Sequence, residues 1–364
     1  MEVGYRMKAL GRVIASVIVL VLTGLVAAFA RYTPDLVFGF YTDFSRRVAA
    51  ALGRIFGNLP FSVCEIAIYL ILLWIVYTFI RVIARRKGLL AWAAGILLFA
   101  SCALLAFTVL WGANHFGPEI TDQLGIPVRE YTRDELEAAA QYYLEEANAL
   151  APQMKRQDAD QPAEFSDFAV LARAAVDSYT TLAAQYPYYT TPAALPKRIL
   201  GWYPMSKAGL TGIYLCFTGE SCVNPDTYTV ALPFVMCHEL AHAQAIASES
   251  GANFSAFLAC SGSDNLQLRY AAYYSAFIYC YNAVSRVDQV AAADLWNAMD
   301  PGLKADVLAN NARSAKYAGK THDTVEKIND VYLKAFSETQ GVQSYGAVAD
   351  DLVAWYLIQS APAG

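Results

Sequence analysis

Two histidines four residues apart, with a glutamate directly after the first, stand in the stretch His238-Glu239-Leu240-Ala241-His242. On a helix, positions four apart share a face, so both imidazoles can reach one ion. Two imidazoles, a carboxylate and one open position suit zinc, whereas magnesium and calcium prefer oxygen ligands. One Zn2+ is therefore the expected cofactor. Bound there, it would lower the pKa of a water toward about 7, and Glu239 would take that water's proton during attack on a carbonyl. The chain contains only four His, at 115, 238, 242 and 322, so the spacing is not a product of abundance. Two core histidines satisfied by backbone groups are the bland alternative, but a metal would satisfy both at once.

A third protein ligand is needed, and Glu249 is the expected one. If the first helix ends near Ala247, the chain can turn through Ser248 and return Glu249 to the ion. Glu220 and His322 are its rivals. Asn253 lies one turn beyond Glu249 and is placed to orient a ligand His. A tetrahedral oxyanion also needs a donor besides the metal. Tyr345, Tyr332, Tyr274 and His322 are candidates for that role, although with 24 Tyr in the chain any single one is more often packing.

The elements that must hold these residues are mostly helical. From Pro233 onward, apolar periodicity predicts helices over 233–247, 250–261, 266–285, 288–298, 303–315, 323–337 and 346–357. Before them, Leu210 to Val223 reads as a strand, a turn and an irregular return, punctuated by Gly212 and Gly219. Such a strand beside the metal helix could pair with an extended peptide. Thr132 caps a predicted helix to about Leu150. A loop to about Ala163 leads to a second helix over 167–183, and 187–204 shows no clear periodicity.

Composition divides the chain near His115. Hydrophobic residues make up 56% and charged residues 16%, well below the soluble norm of about 25%. Residues 1–114 carry eleven Lys and Arg against four Asp and Glu, and the remainder carries sixteen against twenty-eight. Three uncharged runs predict spans at about 13–31, 61–81 and 89–112. For the first run a cleaved signal peptide is the alternative, given the basic lead and Ala28-Phe29-Ala30. Arg81, Arg85, Arg86 and Lys87 place the turn between the last two spans in the cytoplasm, with the N-terminus, which puts 115–364 outside. Residues 36–57 are expected to lie at the interface with their Arg on lipid headgroups. Neither half suggests a nucleic-acid partner. The seven Cys show no CxxC, and only Cys216 and Cys222 are placed to pair.

Beyond these readings, the chain resembles an uncharacterised family of bacterial membrane proteins with a zinc metallopeptidase-like domain, DUF3810. The resemblance rests on H-E-L-A-H at 238–242, on E-x-x-A-N at Glu249, Ala252 and Asn253, and on T-G-E-x-x-V-N at Thr218, Gly219, Glu220, Val223 and Asn224. Two C-terminal patterns, at Asn329–Lys334 and Gly341–Tyr345, extend it over nearly the whole chain. It implies a multi-pass membrane anchor of three transmembrane helices and an α+β, mostly helical zincin-like domain. It also implies gluzincin-type ligation by His238, His242 and Glu249, with Asn253, Glu220 and Asn224 near the ligands or substrate. Two departures stand out: Gly251 replaces a second acidic residue, and Ala245 replaces a glycine that ends the helix.

The expected function is that of a membrane-anchored zinc metallopeptidase acting on a protein or peptide. A catalytically silent zinc-bound sensor or scaffold is the alternative, and hydrolysis of an amide or ester in lipid or wall material is a third option. Glu239 favours an enzyme, because a binding module does not need it.

Overall fold

A computed structural model describes residues 2–335 and 344–360. Helix α1 (Glu2–Tyr32) leads through the short α2 (Pro34–Phe38) and α3 (Tyr41–Phe56) to α4 (Val63–Arg85) and α5 (Leu89–Leu110). Helices α1, α4 and α5 are each long and apolar enough to cross a membrane. Hydrocarbon offers no partner for peptide groups, so uncharged runs of this length satisfy themselves as helices. The hydroxyls inside them follow the same rule: Ser16, Thr23, Ser101 and Thr108 each donate to the carbonyl four residues earlier. Helices α1 and α5 pack along each other, with Ala91 and Ala94 buried and Arg12 donating to the Ala91 carbonyl. Helix α4 stands apart, and its most apolar stretch has no buried residue.

The remaining chain forms α6 (Ile120–Gln123), α7 (Arg133–Leu150), α8 (Phe168–Gln185), α9 (Trp202–Lys207), α10 (Leu232–Ala243) and α11 (Glu249–Ser261). After them come α12 (Leu266–Val287), α13 (Gln289–Asn297), α14 (Pro301–Tyr317), α15 (Lys320–Ala335) and α16 (Ser344–Ser360). Thr132 caps α7 in a full capping box with Glu135, as the sequence predicts. The core gathers α7, α8, α10, α11, α12 and α16 around large buried side chains, among them Tyr143, Tyr179, Phe254 and Phe257. Their polar tips are used: Tyr143 Oη donates to the Leu352 carbonyl and Tyr179 Oη to that of Cys237.

Three short strands complete the fold: β1 (Lys197–Arg198), β2 (Gly212–Leu215) and β3 (Glu220–Val223), in the order β1-β3-β2. Strand β2 runs antiparallel to β3, with Gly212 opposite Val223 and Leu215 opposite Glu220. β1 pairs with β3 in parallel, so β2 keeps one edge free. The aperiodic stretch 187–204 thus contains a strand too short to show alternation.

Hydrogen bonds cross from the apolar first third to the rest at several places. Buried Glu220 accepts from the backbone N–H groups of Val63 and Cys64 and from Ser62 Oγ at the start of α4, and also from Thr218 and Lys197. Glu65 in α4 accepts from the N–H groups of Leu200 and Gly201, at 2.8 and 2.6 Å. Trp111, at the end of α5, donates from Nε1 to the His242 carbonyl at 3.0 Å.

Two expectations are corrected here. Arg46 of α3 does not turn to headgroups; it donates to the backbone carbonyls of Gln244 and Tyr188, both at 2.8 Å, and stacks on the Tyr188 ring. Those carbonyls lie at the ends of local elements and need a donor. Cys216 and Cys222 are both free thiols, since Cys222 sits opposite Ile213 in the ladder and not opposite Cys216.

Candidate metal centre

Helix α10 begins with Pro233 in its first turn and carries Glu239 and both motif histidines. It ends four residues earlier than the sequence pattern suggests, in a tight reversal. The N–H of Ala245 bonds the His242 carbonyl and that of Ile246 bonds the Ala241 carbonyl, a Schellman arrangement. Ala245 takes the left-handed position at φ 66°, where a side chain is unfavourable by about 1–2 kcal/mol. Ser248 then caps α11, and Glu249 opens that helix facing back toward α10.

The turn also sets a proton. The Ile246 carbonyl accepts from Nδ1 of His242 at 2.8 Å, so this ring carries its hydrogen on Nδ1 and presents a bare Nε2. Nδ1 of His238 lies 2.9 Å from Oδ1 of Asn253, which acts in the same way, the orienting role expected for Asn253. The two Nε2 atoms are 3.1 Å apart, and the Glu249 oxygens lie 3.4 Å from His238 Nε2 and 3.8 Å from His242 Nε2. Among the described residues this trio is the group of His, Cys, Asp or Glu side chains that could hold a metal, with ligand atoms all within 4.8 Å of one another. Ligands of a tetrahedral zinc at 2.0–2.1 Å stand about 3.3 Å apart, so the donor set fits.

The charges of the site are coupled. Burial opposes a charge on His238, but Glu249, Glu239 and Asn253 together outweigh burial and lift it to about 9. Burial and the neighbouring His238 push His242 down to about 4. Burial alone would raise Glu249, yet the two histidines hold it down at about 2. Glu239 is pushed up to about 8 by burial, and its Oε2 is buried without a hydrogen-bond partner among the described residues. The other side of that carboxylate rests on the backbone of β2, where a Cβ at Gly212 would come within 2.3 Å of Oε1. A side chain at this position would displace the Glu239 carboxylate.

A cleft of about 650 Å³ opens over the trio. All four histidines of the chain line it, so His115, at the end of α5, faces the same space as the motif. Burial and His242 lower His115 to about 4. Strand β2 forms one wall, and Asn310, Arg313 and Ser314 of α14 form the far end. His322 lines the cleft without joining the trio, its ring against Gly209. Tyr274 faces the cleft as a candidate donor, with Tyr279 beside it. The side chains of Tyr345 and Tyr332 lie outside the described residues.

The structure places Glu220 and Asn224 elsewhere. Glu220 pairs with Lys197 at 2.7 Å under the start of α4, and Asn224 donates to Ser206 Oγ and the Leu210 carbonyl, holding the loop that precedes β2. His115, Arg313, Tyr279 and Trp111 were missed from sequence. Of these, only His115 carried a signal, its rarity.

The profile of a family described as a protein of unknown function, DUF3810, matches residues 40–353. The chain belongs to that family. The DUF3810 match takes in α3, α4 and α5 as well as the cleft, so two of the three long apolar helices and the cleft lie within one family match. No curated protein and no solved structure gives a match.

Proposed function

We propose that this DUF3810 protein is a membrane-anchored zinc metallopeptidase of gluzincin type, with 115–364 on the outer side of the membrane. One observation carries the reading: two imidazole Nε2 atoms and a carboxylate converge within 4.8 Å of one another, beside a buried glutamate whose Oε2 has no hydrogen-bond partner among the described residues. A single cation would engage all three donors at once. His238, His242 and Glu249 would be the ligands. When bound, zinc supplies a Lewis acid that polarises a carbonyl and acidifies a neighbouring water.

The chain's own residues do the rest. Glu239, as the carboxylate, would accept the proton of the attacking water and hand it to the leaving amine nitrogen. An extended peptide would pair with the free edge of β2, which lays its backbone along the wall that Glu239 touches. Tyr274 and His322 are the candidates to donate to the developing oxyanion. The basic turn Arg85-Arg86-Lys87 supports the orientation.

The test uses the full chain in nanodiscs. Metal content is measured by mass spectrometry, and cleavage of a randomised peptide library is compared with that of Glu239→Gln. One zinc per chain, with cleavage lost in the variant, is expected. Stoichiometric zinc without cleavage would replace the peptidase by a zinc-bound sensor, and no zinc after chelator-free handling would end both readings.

A further inference from the structure

Where the cleft lies relative to the three apolar helices bears on what enters it. Helix α5 starts next to the basic turn and runs for 22 residues. That is about 33 Å of helix, against about 30 Å of bilayer hydrocarbon, so its Trp111 end emerges at headgroup level. The ring of Trp111 is 5.7 Å from that of His242, centroid to centroid, and 5.8 Å from that of Tyr214 on β2. Phe107, still inside α5, lines the cleft. One wall of the candidate metal centre is therefore the last turn of a span.

On another side, Ser206 of α9 lines the cleft, and the segment that leads into α9 hangs from α4. Glu65 grips the backbone at 200–201, and Tyr69, well inside the uncharged run of α4, touches Gly201. The next side chains outside the spans are apolar and open: Leu200 is 59% exposed, Trp202 39% and Tyr203 54%. Trp and Tyr so placed suit a membrane–water interface. Helices α4 and α5 meet near the basic turn, where Trp92 bonds Thr78 and stacks on Phe79. At the other end the 216–219 turn fits between them, with Cys216 packed on Trp111, Thr218 beside Cys64 and Phe217 exposed.

From this geometry we infer that the substrate is a membrane-anchored polypeptide, cut within a few residues of its own span, which enters the cleft from the bilayer beside the Phe107–Trp111 end of α5. The inference rests on the hydrolase reading above and adds the substrate class to it. The cleft is graded to suit such a segment. It is apolar and aromatic toward the bilayer, at Phe107, Trp111 and Ile213, and polar at its far end, at Asn310 and Arg313. A juxtamembrane stretch has that same gradient, and its extended backbone matches the free edge of β2. A lipid would instead need an apolar tunnel for its chains, and the far end of the cleft is polar.

The test reconstitutes the zinc-loaded full chain in vesicles. One randomised peptide library is presented on a poly-Leu/Ala span through spacers of about 2 or about 30 Gly/Ser residues, and also as soluble peptides. Both tethered forms share the bilayer, so their comparison isolates placement from local concentration. Cleavage at least about tenfold faster with the short spacer is expected. Equal rates for the two spacers, or cleavage of the soluble library alone, would overturn the inference and leave the peptidase intact. Cleavage of no peptide at all would overturn the hydrolase reading and this one with it, as would hydrolysis of vesicle lipid alone. A readout free of activity is quenching by lipids brominated near the glycerol: part of the quenchable emission should vanish in Trp202→Phe. Identical quenching in the variant would place the start of α9, and with it this side of the cleft, in water and refute entry from the bilayer.

Discussion

Two buried glutamates, one under the start of α4 and one on the floor of the cleft, show how the same side chain is given opposite duties. Glu220 is 1% exposed and Glu239 4%. Burial pushes the pKa of both upward. At Glu220 the Cys64 and Val63 N–H groups, Lys197 and Thr218 outweigh burial and hold the carboxyl below its usual range. At Glu239 burial prevails, and one oxygen has no donor among the described residues. A fully satisfied carboxylate fixes an architecture. One left without donors is free to exchange a proton, and it is found where chemistry is expected.

The comparison can be broken most forcefully at the cleft. Glu239→Gln should lower peptide hydrolysis by about 10²–10⁴-fold while the melting temperature hardly moves. A melting temperature that falls with the activity would make Glu239 a structural residue like its counterpart. Glu220→Ala should do the reverse. It leaves the Lys197 ammonium buried without its carboxylate and the Val63 and Cys64 N–H groups without their acceptor, at a cost of about 3–5 kcal/mol in denaturant melts.

Asp351 sharpens the contrast, because burial and the charges of Glu119, Asp350 and Asp122 raise it to about 8, away from the trio. Its folded pKa lies above the unfolded value of about 3.9. Stability held below that lower value is therefore lost as pH rises through about 8. Asp351→Asn should melt like the parent chain at about pH 4 and progressively higher than it up to about pH 8. A constant gap would refute the assignment. The smallest effect is expected at the turn between the ligands: Ala245→Gly relieves a left-handed alanine and should add about 1 kcal/mol, read as a higher melting temperature.

The histidine pair and the carboxylate that the fold returns to it were legible in the sequence because helix spacing is local. His238 and His242 share a face by number alone, and Ser248 signals the start of the helix that returns Glu249. The boundaries from Pro233 onward follow from periodicity, and α11 to α16 fall close to where the pattern puts them. What stayed hidden depends on distant partners. The place of Glu220 is decided by Lys197 and by the backbone of α4, more than 150 residues earlier for the latter. Arg46 turns inward because two carbonyls near 188 and 244 await it. Gly212 reads as punctuation until the carboxylate of Glu239 is seen lying on its backbone.

The bond from Trp111 to the His242 carbonyl has a practical consequence. It joins the tip of a span to the backbone of a ligand, and Ser62, Cys64 and Glu65 join another span to the sheet in the same manner. Trimming the chain to 115–364, the usual route to a water-soluble preparation, would strip the wall from the cleft and strand a buried lysine–glutamate pair. Detergent or lipid is thus part of the reagent list for handling this protein intact: the apolar helices serve as scaffolding for the cleft, and a preparation made without them would be a different molecule.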